Sequence, residues 1–378
     1  MSTAGNNTGG SSTGRALTRL RTGLERYARR KARGDDPLPP PQVLVQAPGV
    51  RLEFGDLERR FHCASIDKVM TAAAVGQQVE SGRLRFDAPL GTVLPAADLV
   101  GLPAADGVDL GTDVTIDHLL SHASGLPDYF DPPRPQAVEA SMIRAVRAPE
   151  RLWTRAEILD QVRTMRPAGR PGEQFGYSDT AYVLLGRVLE EVTGVGYTRL
   201  LAERIFAPLG MEASSAPFDD DFTPTRLHRL NIAQVWAGRH EVSRRACLSL
   251  SWGSVVTTAA DLVRFQQSLH GGELLQPGTL AHITRPRNRM RAGIHYGAGA
   301  VTLRFGEFMP LMLRGLPEPV GGLGLSATHM FYYPRQQAHV VLNFHKTTAM
   351  SSSFRAHIAI ARMLARDPVR GPSVTRGS

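Results

Sequence analysis

Cysteine and lysine are scarce in this chain of 378 residues, and no run of 18 or more apolar residues occurs in it. The two cysteines, Cys63 and Cys247, are too few for a disulfide framework and lack the clustered spacing of a zinc site, so we expect two small buried side chains. The polar N-terminus has no apolar signal-peptide region. The sequence therefore predicts neither a transmembrane helix nor export, and the expected location is the cytoplasm.

The positive charge of the chain is carried almost entirely by arginine. The formal net charge is +9, yet lysine occurs only as Lys31, Lys68 and Lys346. Residues 1–36 hold eight basic residues against three acidic ones, and the remainder of the chain is only mildly basic. Because no basic stripe with interleaved aromatic residues is present, the sequence argues against nucleic-acid binding by the folded part.

Residues 1–36 differ in composition from the rest of the chain. Residues 1–14 are mostly Gly, Ser, Thr and Asn, which predicts a disordered leader. Residues 15–33 place leucines at helical spacing among arginines, which predicts a basic helix or arm. Such a helix could pack on the domain, lie on an anionic membrane or remain solvated. Its narrow apolar stripe favours packing or a solvated arm over membrane contact.

Residues 37–378 are predicted to form one catalytic domain of mixed α/β (α+β) type. Segments 42–46 and 50–54, separated by a Pro-Gly turn, predict a hairpin, and a helix should run from Ser65 to a glycine stop at Gly82. Strand patterns return at 297–303, 321–333 and 339–344, before a last helix that begins at Ser351 or Ser352. We therefore expect an α/β part at about 37–87 and 255–368, interrupted by an all-helical insertion at about 88–254.

Ser65 and Lys68 form a Ser-x-x-Lys sequence at a predicted strand-to-helix junction. A serine hydroxyl is a weak nucleophile until a base takes its proton, and a desolvated lysine can serve as that base. Residues three apart share one helix face, so the spacing brings the ammonium and hydroxyl together. The alternative is a capping serine beside a surface lysine.

Four ordered segments extend this motif, and together they resemble the class C β-lactamase family across about residues 43–365. They are residues 61–87, which contain FHCASIDK; 115–127, TIDHLLSHASGLP; 170–190, which contain RPGEQFGYSD; and 258–262, TAADL. The resemblance implies a β-lactamase/transpeptidase-like fold, with an antiparallel sheet flanked by helices. It also implies acyl transfer in which Ser65 is the nucleophile, while Lys68 and Tyr177 shuttle protons.

The resemblance assigns the oxyanion hole to backbone N–H groups, here those of Ser65 and of Leu325 after Gly324. Two positions depart from the family. Asp179 stands where asparagine is usual, and its carboxylate could pair with Lys68. Gly322 stands where the family has a lysine or histidine that helps to hold a substrate carboxylate. The predicted chemistry is therefore better supported than binding of β-lactams or D-Ala-D-Ala peptides.

Several other residues have competing interpretations. Cys63 is close enough to Ser65 to be a rival nucleophile, but no neighbour favours its thiolate. His118 and His122 have the i, i+4 spacing of zinc ligands without the accompanying glutamate, so no metal is predicted. Trp252 and the pair Tyr296-Gly297 could line the pocket or belong to the core. His329 and His345 are most simply strand residues.

The sequence thus predicts a cofactor-free serine acyl-enzyme hydrolase or transacylase that acts on an ester or amide, with esterase-like chemistry favoured over a true β-lactamase. Its expected partner is a small-molecule or peptide acyl substrate. The competing hypothesis is a catalytically degenerate protein that keeps the fold as a binding module. The altered positions Asp179 and Gly322 favour degeneracy, whereas retention of Ser65, Lys68 and Tyr177 favours an enzyme. The acyl group, the acceptor and the oligomeric state are not indicated.

Overall fold

The computed structural model describes residues 12–33, 38–132, 138–217, 224–250 and 255–366. Its strands are β1 (Gln42–Ala47), β2 (Val50–Phe54), β3 (Phe61–His62), β4 (Val235–Ala237), β5 (His240–Val242), β6 (Val256–Thr257), β7 (Asn288–Arg291), β8 (Ile294–Tyr296), β9 (Val301–Leu303), β10 (Val320–Gly324), β11 (Thr328–Tyr333) and β12 (Ala338–Asn343). Its longer helices are α1 (Ser12–Ala32), α2 (Asp67–Glu80), α7 (Arg155–Arg163), α8 (Asp179–Thr193), α12 (Ala259–Gly271), α13 (Pro277–Thr284) and α16 (Met350–Leu364).

The shorter helices connect these elements. They are α3 (Ala96–Leu99), α4 (Leu110–Asp113), α5 (Ile116–Leu120), α6 (Met142–Arg147), α9 (Tyr197–Leu201), α10 (Pro224–Leu230), α11 (Arg244–Leu250), α14 (Phe305–Phe308) and α15 (Pro310–Leu313). Among the described residues no helix is both long and apolar enough to cross a bilayer.

Eight strands form one antiparallel sheet, in the spatial order β2, β1, β12, β11, β10, β9, β8 and β7. The predicted N-terminal hairpin is present, and β12 pairs with β1 so that Gln42 lies opposite Asn343. Every residue of β12 is buried, because helices cover both faces of the sheet at its centre. The predicted antiparallel sheet flanked by helices is confirmed.

The two faces of the sheet bury separate apolar clusters. Alternate residues of a strand point to opposite faces, so Val340 packs on the side of α1 and α16 while Val341 packs on the side of α2 and α12. The cluster on the side of α2 and α12 is the larger, and it extends into the helical region, where α8 packs against α2. Helix α2, which follows Ser65, therefore lies at the centre of the molecule.

The stretch from 88 to 254 is not all-helical as predicted, since β4 and β5 form a hairpin within it. The hairpin turns at Gly238, whose φ of +61° suits the tight connection that a glycine allows. The strand expected at 297–303 is also corrected. Residues 297–300 form the turn between β8 and β9, where Gly297 N donates to Ala300 O at 2.8 Å.

The ends of the chain differ in detail from expectation. Helix α1 begins at Ser12, so residues 12–14 are helical and not part of a disordered leader, while residues 1–11 and 34–37 lie outside the described part. Leu20 and Leu24 are buried where α1 packs against α16 and β2, which matches the packed-helix alternative. Helix α16 begins one residue before Ser351.

Candidate active site

Ser65 lies in a 3-10 turn, Ala64–Ile66, between β3 and α2. The backbone of Cys63 anchors this turn by donating to Val255 O at 3.0 Å. Ala64 has a φ of +50°, a left-handed conformation that is uncommon for a residue with a side chain. The turn presents the Ser65 hydroxyl, half-buried, at the N-terminal end of α2, where unpaired N–H groups favour developing negative charge.

The hydroxyl of Ser65 contacts both of the residues predicted to activate it. Its Oγ lies 2.8 Å from the hydroxyl of Tyr177, and Nζ of Lys68 donates to it at 3.4 Å. Lys68 lies in the first turn of α2, three residues after Ser65, whereas Tyr177 lies 112 residues further along the chain. The structure therefore brings together the three residues predicted from the sequence as the catalytic group.

Tyr177 is positioned by the start of α8 and by a packed histidine. Ser178 caps α8, accepting from Ala181 N at 3.2 Å, and its hydroxyl donates to Pro127 O at 2.9 Å. The His122 ring stacks on the Tyr177 ring at 4.3 Å, and its Nδ1 accepts from Ser178 N at 3.2 Å. These contacts hold the phenol over Ser65.

Asp179 pairs directly with Lys68, with 2.5 Å between Oδ1 and Nζ. Burial by itself lowers the pKa of Lys68, but the Asp179 carboxylate and smaller contributions from Tyr177 and Asp67 outweigh it and hold that pKa well above its ordinary value. Burial, reinforced by the charge of Asp179, likewise raises the pKa of Tyr177 well above 10. At neutral pH the site therefore holds a charged lysine and a neutral phenol.

The end of β10 packs closely on the turn that carries Ser65. A Cβ placed on Gly324 would lie 2.8 Å from Cys63 O, so only glycine allows this approach. Leu325 follows at once and lines the same pocket as Ser65. Gly322 faces α2, where a Cβ would meet Val69 Cγ2 at 3.1 Å. The predicted oxyanion segment and the position that lacks a cationic side chain thus lie beside the nucleophile turn.

A pocket opens in front of Ser65 and is lined mainly by apolar side chains. Its wall is made of Tyr129, Phe130, Ala145, Val235, Val242, Cys247, Leu250 and Leu325. Its polar lining comes from His62, Ser65, Asp67, Lys68, Asp179, Ser326 and Thr347. The hairpin β4–β5, which the sequence did not predict, supplies two of the apolar residues.

The remaining sequence predictions have mixed outcomes. Cys63 is fully buried, as expected, whereas Cys247 is half-buried and lines the pocket. Burial raises the pKa of both thiols, that of Cys247 to about 12, so neither is a thiolate at neutral pH. His345 lies just after β12, not within a strand, whereas His329 does lie in β11.

The two histidines considered as metal ligands have separate structural roles. Nδ1 of His118 accepts from Thr115 N at 3.3 Å in the capping box of α5, and His122 packs on Tyr177. Tyr296 is buried and packs edge-on against His122, so of its two interpretations the structure agrees with a core position. Trp252 lies outside the described residues.

Two buried carboxyl groups near Lys68 were missed by the sequence reasoning. Asp67 is 2% exposed and Asp128 is 4% exposed. Asp128 Oδ1 accepts from the backbone N–H of Phe130 at 3.1 Å and of Asp179 at 3.3 Å. Asp67 stands within the Ser-x-x-Lys motif itself, but nothing in the sequence indicated that its side chain would be buried, since that depends on the packing around α2.

The sequence model of the Beta-lactamase family matches residues 56–365. Penicillin-binding protein 4 of Amycolatopsis lactamdurans is 30% identical over 208 residues, which are 54% of this chain and 49% of the relative. The D-alanyl-D-alanine-carboxypeptidase/endopeptidase AmpH of Escherichia coli K12 is 26% identical over 71% of this chain and 60% of its own length. This chain thus spans about half to three fifths of the length of these curated relatives. Esterases and acyltransferases are also among the relatives.

The same fold is found among solved structures. D-amino acid amidase from Ochrobactrum anthropi SV3 superimposes with a TM-score of 0.72 at 20% identity, covering 94% of this chain and 99% of the amidase. The predicted β-lactamase/transpeptidase-like fold is confirmed. Because the family match covers most of the chain and includes the segments around Ser65, Tyr177 and Gly324, this protein belongs to the Beta-lactamase family of serine hydrolases.

Proposed function

We propose that the protein forms a covalent acyl-enzyme at Ser65 from an ester or amide with an apolar acyl group, and then passes the acyl group to water or another acceptor. The observation that carries this proposal is the position of Ser65 Oγ, 2.8 Å from the Tyr177 hydroxyl and 3.4 Å from Lys68 Nζ. A nucleophile in contact with two proton-transfer groups is the arrangement that covalent acyl transfer requires. Homologous serine hydrolases and acyltransferases support the same reaction class.

Each proton in the proposed reaction has a defined destination. Ser65 Oγ attacks the carbonyl carbon, and its proton passes to neutral Lys68. The oxyanion is held by the backbone N–H groups of Ser65 and Leu325, which need no side chain. Tyr177 then donates its proton to the leaving group and recovers one from Lys68. Water attacks the acyl-enzyme with the transfers reversed.

In the resting site Lys68 is protonated, whereas the proposed series of proton transfers begins with neutral Lys68. Lys68 must be neutral to accept the serine proton, yet Asp179 keeps its pKa well above the ordinary value. The proposed activity should therefore rise with pH across the alkaline range. The ion pair between Lys68 and Asp179 also gives the binding-module alternative its strongest support, because such a pair could be purely structural.

The substrate preference follows from Gly322 and from the pocket wall. With no cationic side chain at position 322, nothing at that position can hold the carboxylate that β-lactams carry. The pocket in front of Ser65 offers mainly apolar side chains, including Val235, Val242 and Leu250. An ester or simple amide with a small apolar acyl group fits this lining better than a cephalosporin.

A fluorophosphonate probe separates the enzyme from the binding module. We expect the wild type to gain one adduct, seen by intact-mass spectrometry and mapped to Ser65. Ser65→Ala should gain none, while Ser326→Ala, which removes another serine that lines the pocket, should still be labelled. An unlabelled wild type, or an adduct on a different residue, would support the binding module.

Substrate class is tested separately by comparing kcat/KM for p-nitrophenyl butyrate with that for a chromogenic cephalosporin. We expect the ester to be the better substrate. Faster hydrolysis of the cephalosporin would refute the preference for esters and leave the nucleophile assignment intact.

A further inference from the structure

Asp67 is a buried carboxyl group whose oxygens have no hydrogen-bond donor in the described structure. Both oxygens are shielded from solvent, and the side chain is 2% exposed. The nearest cation, Lys68 Nζ, lies 3.9 Å from Oδ1, too far for a hydrogen bond. Buried polar groups are nearly always paired, so an unpaired carboxyl at the base of a pocket requires an explanation.

Three carboxyl groups surround Lys68 in the described part of the chain. Asp67, Asp128 and Asp179 surround one lysine, which is matched at 2.5 Å by Asp179 alone. Asp128 is satisfied by two backbone amides. The nearest ammonium to Asp67 is 3.9 Å away, and both Asp67 and Asp179 line the pocket in front of Ser65. Asp67 is therefore the pocket carboxyl group that has no cation within hydrogen-bond distance.

We propose that this pocket binds acyl substrates that carry a primary ammonium group, with Asp67 as its counter-ion and the apolar wall receiving the substrate side chain. This inference rests on the proposed function and narrows its substrate class to aminoacyl esters and amides. An ammonium donates up to three hydrogen bonds, which suits a pocket lined by the carboxyl groups of Asp67 and Asp179. Val242, Leu250 and Phe130 line the same pocket.

The electrostatics agree with this assignment. Burial raises the pKa of Asp67 to about 7, so an empty pocket holds this carboxyl near half-ionised at neutral pH. An incoming ammonium would favour the ionised form. It would also repel the charge on Lys68 and lower the pKa of that lysine, which moves Lys68 toward the neutral form that the proposed reaction needs.

Protection experiments on the wild type test the inference without any substitution. At pH 8, 2-phenylethylamine should slow fluorophosphonate labelling of Ser65 at least tenfold more effectively than 2-phenylethanol, which has the same ring but no charge. Equal protection by the two compounds would overturn the ammonium site. If no Ser65 adduct forms at all, the proposed function has failed instead, so the two failures are distinguishable.

Kinetics with paired substrates give the second test. Phenylalanine p-nitroanilide, in both enantiomers, is compared with its N-acetyl derivative, and we expect kcat/KM to favour the free amine by about tenfold or more. Asp67→Asn should bring that ratio toward one, whereas Asp160→Asn, an exposed carboxylate on α7, should leave it unchanged. A ratio that Asp67→Asn does not alter means that the carboxyl is structural, and the proposal is then wrong.

A different observation concerns the groove between α1 and α16. It is lined by six exposed arginines, Arg19, Arg26, Arg30, Arg355, Arg362 and Arg366, above a floor that includes Leu20, Leu24, Phe344 and Met363. Within the described part of the chain no acidic residue lines the groove, and none of the six arginines forms an ion pair with another described residue. Residues 12–33 carry a net charge of +7 and residues 350–366 carry +3, which together exceed the +9 of the whole chain.

We infer that this groove docks on the surface of an anionic phospholipid bilayer. Arginines around an apolar floor match a partner that is negatively charged outside and apolar beneath, and each basic residue near such a surface strengthens binding roughly fivefold. The protein should cosediment with vesicles of phosphatidylglycerol and phosphatidylcholine at low salt. It should not cosediment with vesicles of phosphatidylcholine alone, and 0.5 M salt should release the bound protein.

Matched charge variants complete this test. Arg26→Gln with Arg30→Gln and Arg362→Gln should weaken vesicle binding about a hundredfold, since three charges are removed. Arg83→Gln with Arg314→Gln and Arg335→Gln removes the same charge from exposed positions outside the groove and should have a far smaller effect. Equal effects of the two triples, or binding to polyglutamate without binding to vesicles, would overturn the membrane assignment.

Discussion

The Asp179 carboxylate lies 2.5 Å from the ammonium of Lys68, and both side chains are largely buried. An asparagine at position 179 would offer a neutral amide, whereas aspartate supplies a full negative charge. The carboxylate stabilises the protonated lysine more than burial destabilises it, so the pKa of Lys68 is raised. The proton balance of the site is therefore set by one atom pair, and it determines how the proposed reaction should depend on pH.

Replacing Asp179 with asparagine should shift the activity to lower pH. Without the carboxylate, burial is opposed only by the smaller effects of Tyr177 and Asp67, so the pKa of Lys68 falls and the neutral lysine becomes populated closer to neutrality. We expect the midpoint of Ser65 labelling against pH to fall by about 1 to 3 units. Asp160→Asn on the exposed face of α7 is the control and should keep the wild-type profile. An unchanged midpoint in Asp179→Asn would show that Lys68 does not limit acylation.

Removing the Tyr177 hydroxyl should slow acylation of Ser65 while preserving the fold. Tyr177→Phe keeps the ring that stacks on His122 and loses only the 2.8 Å contact with Ser65. A proton-transfer group of this kind contributes about 10² to 10⁴-fold in rate. Tyr182→Phe is the matched control, because its hydroxyl donates to Leu120 O and not to Ser65. Equal acylation rates in the two variants would remove Tyr177 from the mechanism.

A methyl group at position 324 should separate the end of β10 from the nucleophile turn. The Cβ of Gly324→Ala would lie 2.8 Å from Cys63 O, so the strand must move. We expect a loss of about 1 to 3 kcal/mol in the free energy of unfolding, and slower acylation as the N–H of Leu325 shifts. Gly278→Ala, where nothing lies within 4 Å of the new Cβ, should lose neither. Denaturant unfolding and labelling rates measure both effects.

Buried histidines should make the protein less stable in acid. Burial lowers the pKa of His357 to about 3, against 6.5 for the unfolded chain, so its stabilising contribution is complete above 6.5 and is lost as the pH falls toward 3. Over that window the free energy of unfolding should decline by about 1.4 kcal/mol per pH unit for this group. His357→Gln should reduce the slope by about one proton, measured by urea unfolding at several pH values. His240→Gln, at an exposed position, should leave the slope unchanged.

Local rules explain why much of the secondary structure could be predicted. The hairpin of β1 and β2 follows from alternation and a Pro-Gly turn, and the residues that cap α8 and α12, Ser178 and Thr258, are of types that commonly cap helices. The hairpin of β4 and β5 was missed because each strand has only three residues, too few for a clear period.

Long-range packing explains what could not be predicted about the site. Tyr177 reaches Ser65 only because α8 packs against α2, a contact between segments more than 100 residues apart. The burial of Asp67 and Asp128 depends on the same packing, and so do the pKa shifts of both groups. The residue type determines whether a side chain can be charged, but the surrounding structure determines the free energy of keeping that charge in a buried position.

The sequence by itself determined the spacing of Ser65 and Lys68, the order of the motifs, and the absence of a cationic side chain at Gly322. These properties follow from residue identity and from the fixed geometry of a helix turn. Only the tertiary structure decided that Lys68 is paired with Asp179, that the Asp67 carboxyl is buried beside them, and that the arginines of α1 and α16 face one groove. Such properties depend on distances between segments remote in the chain and on the exclusion of water around them.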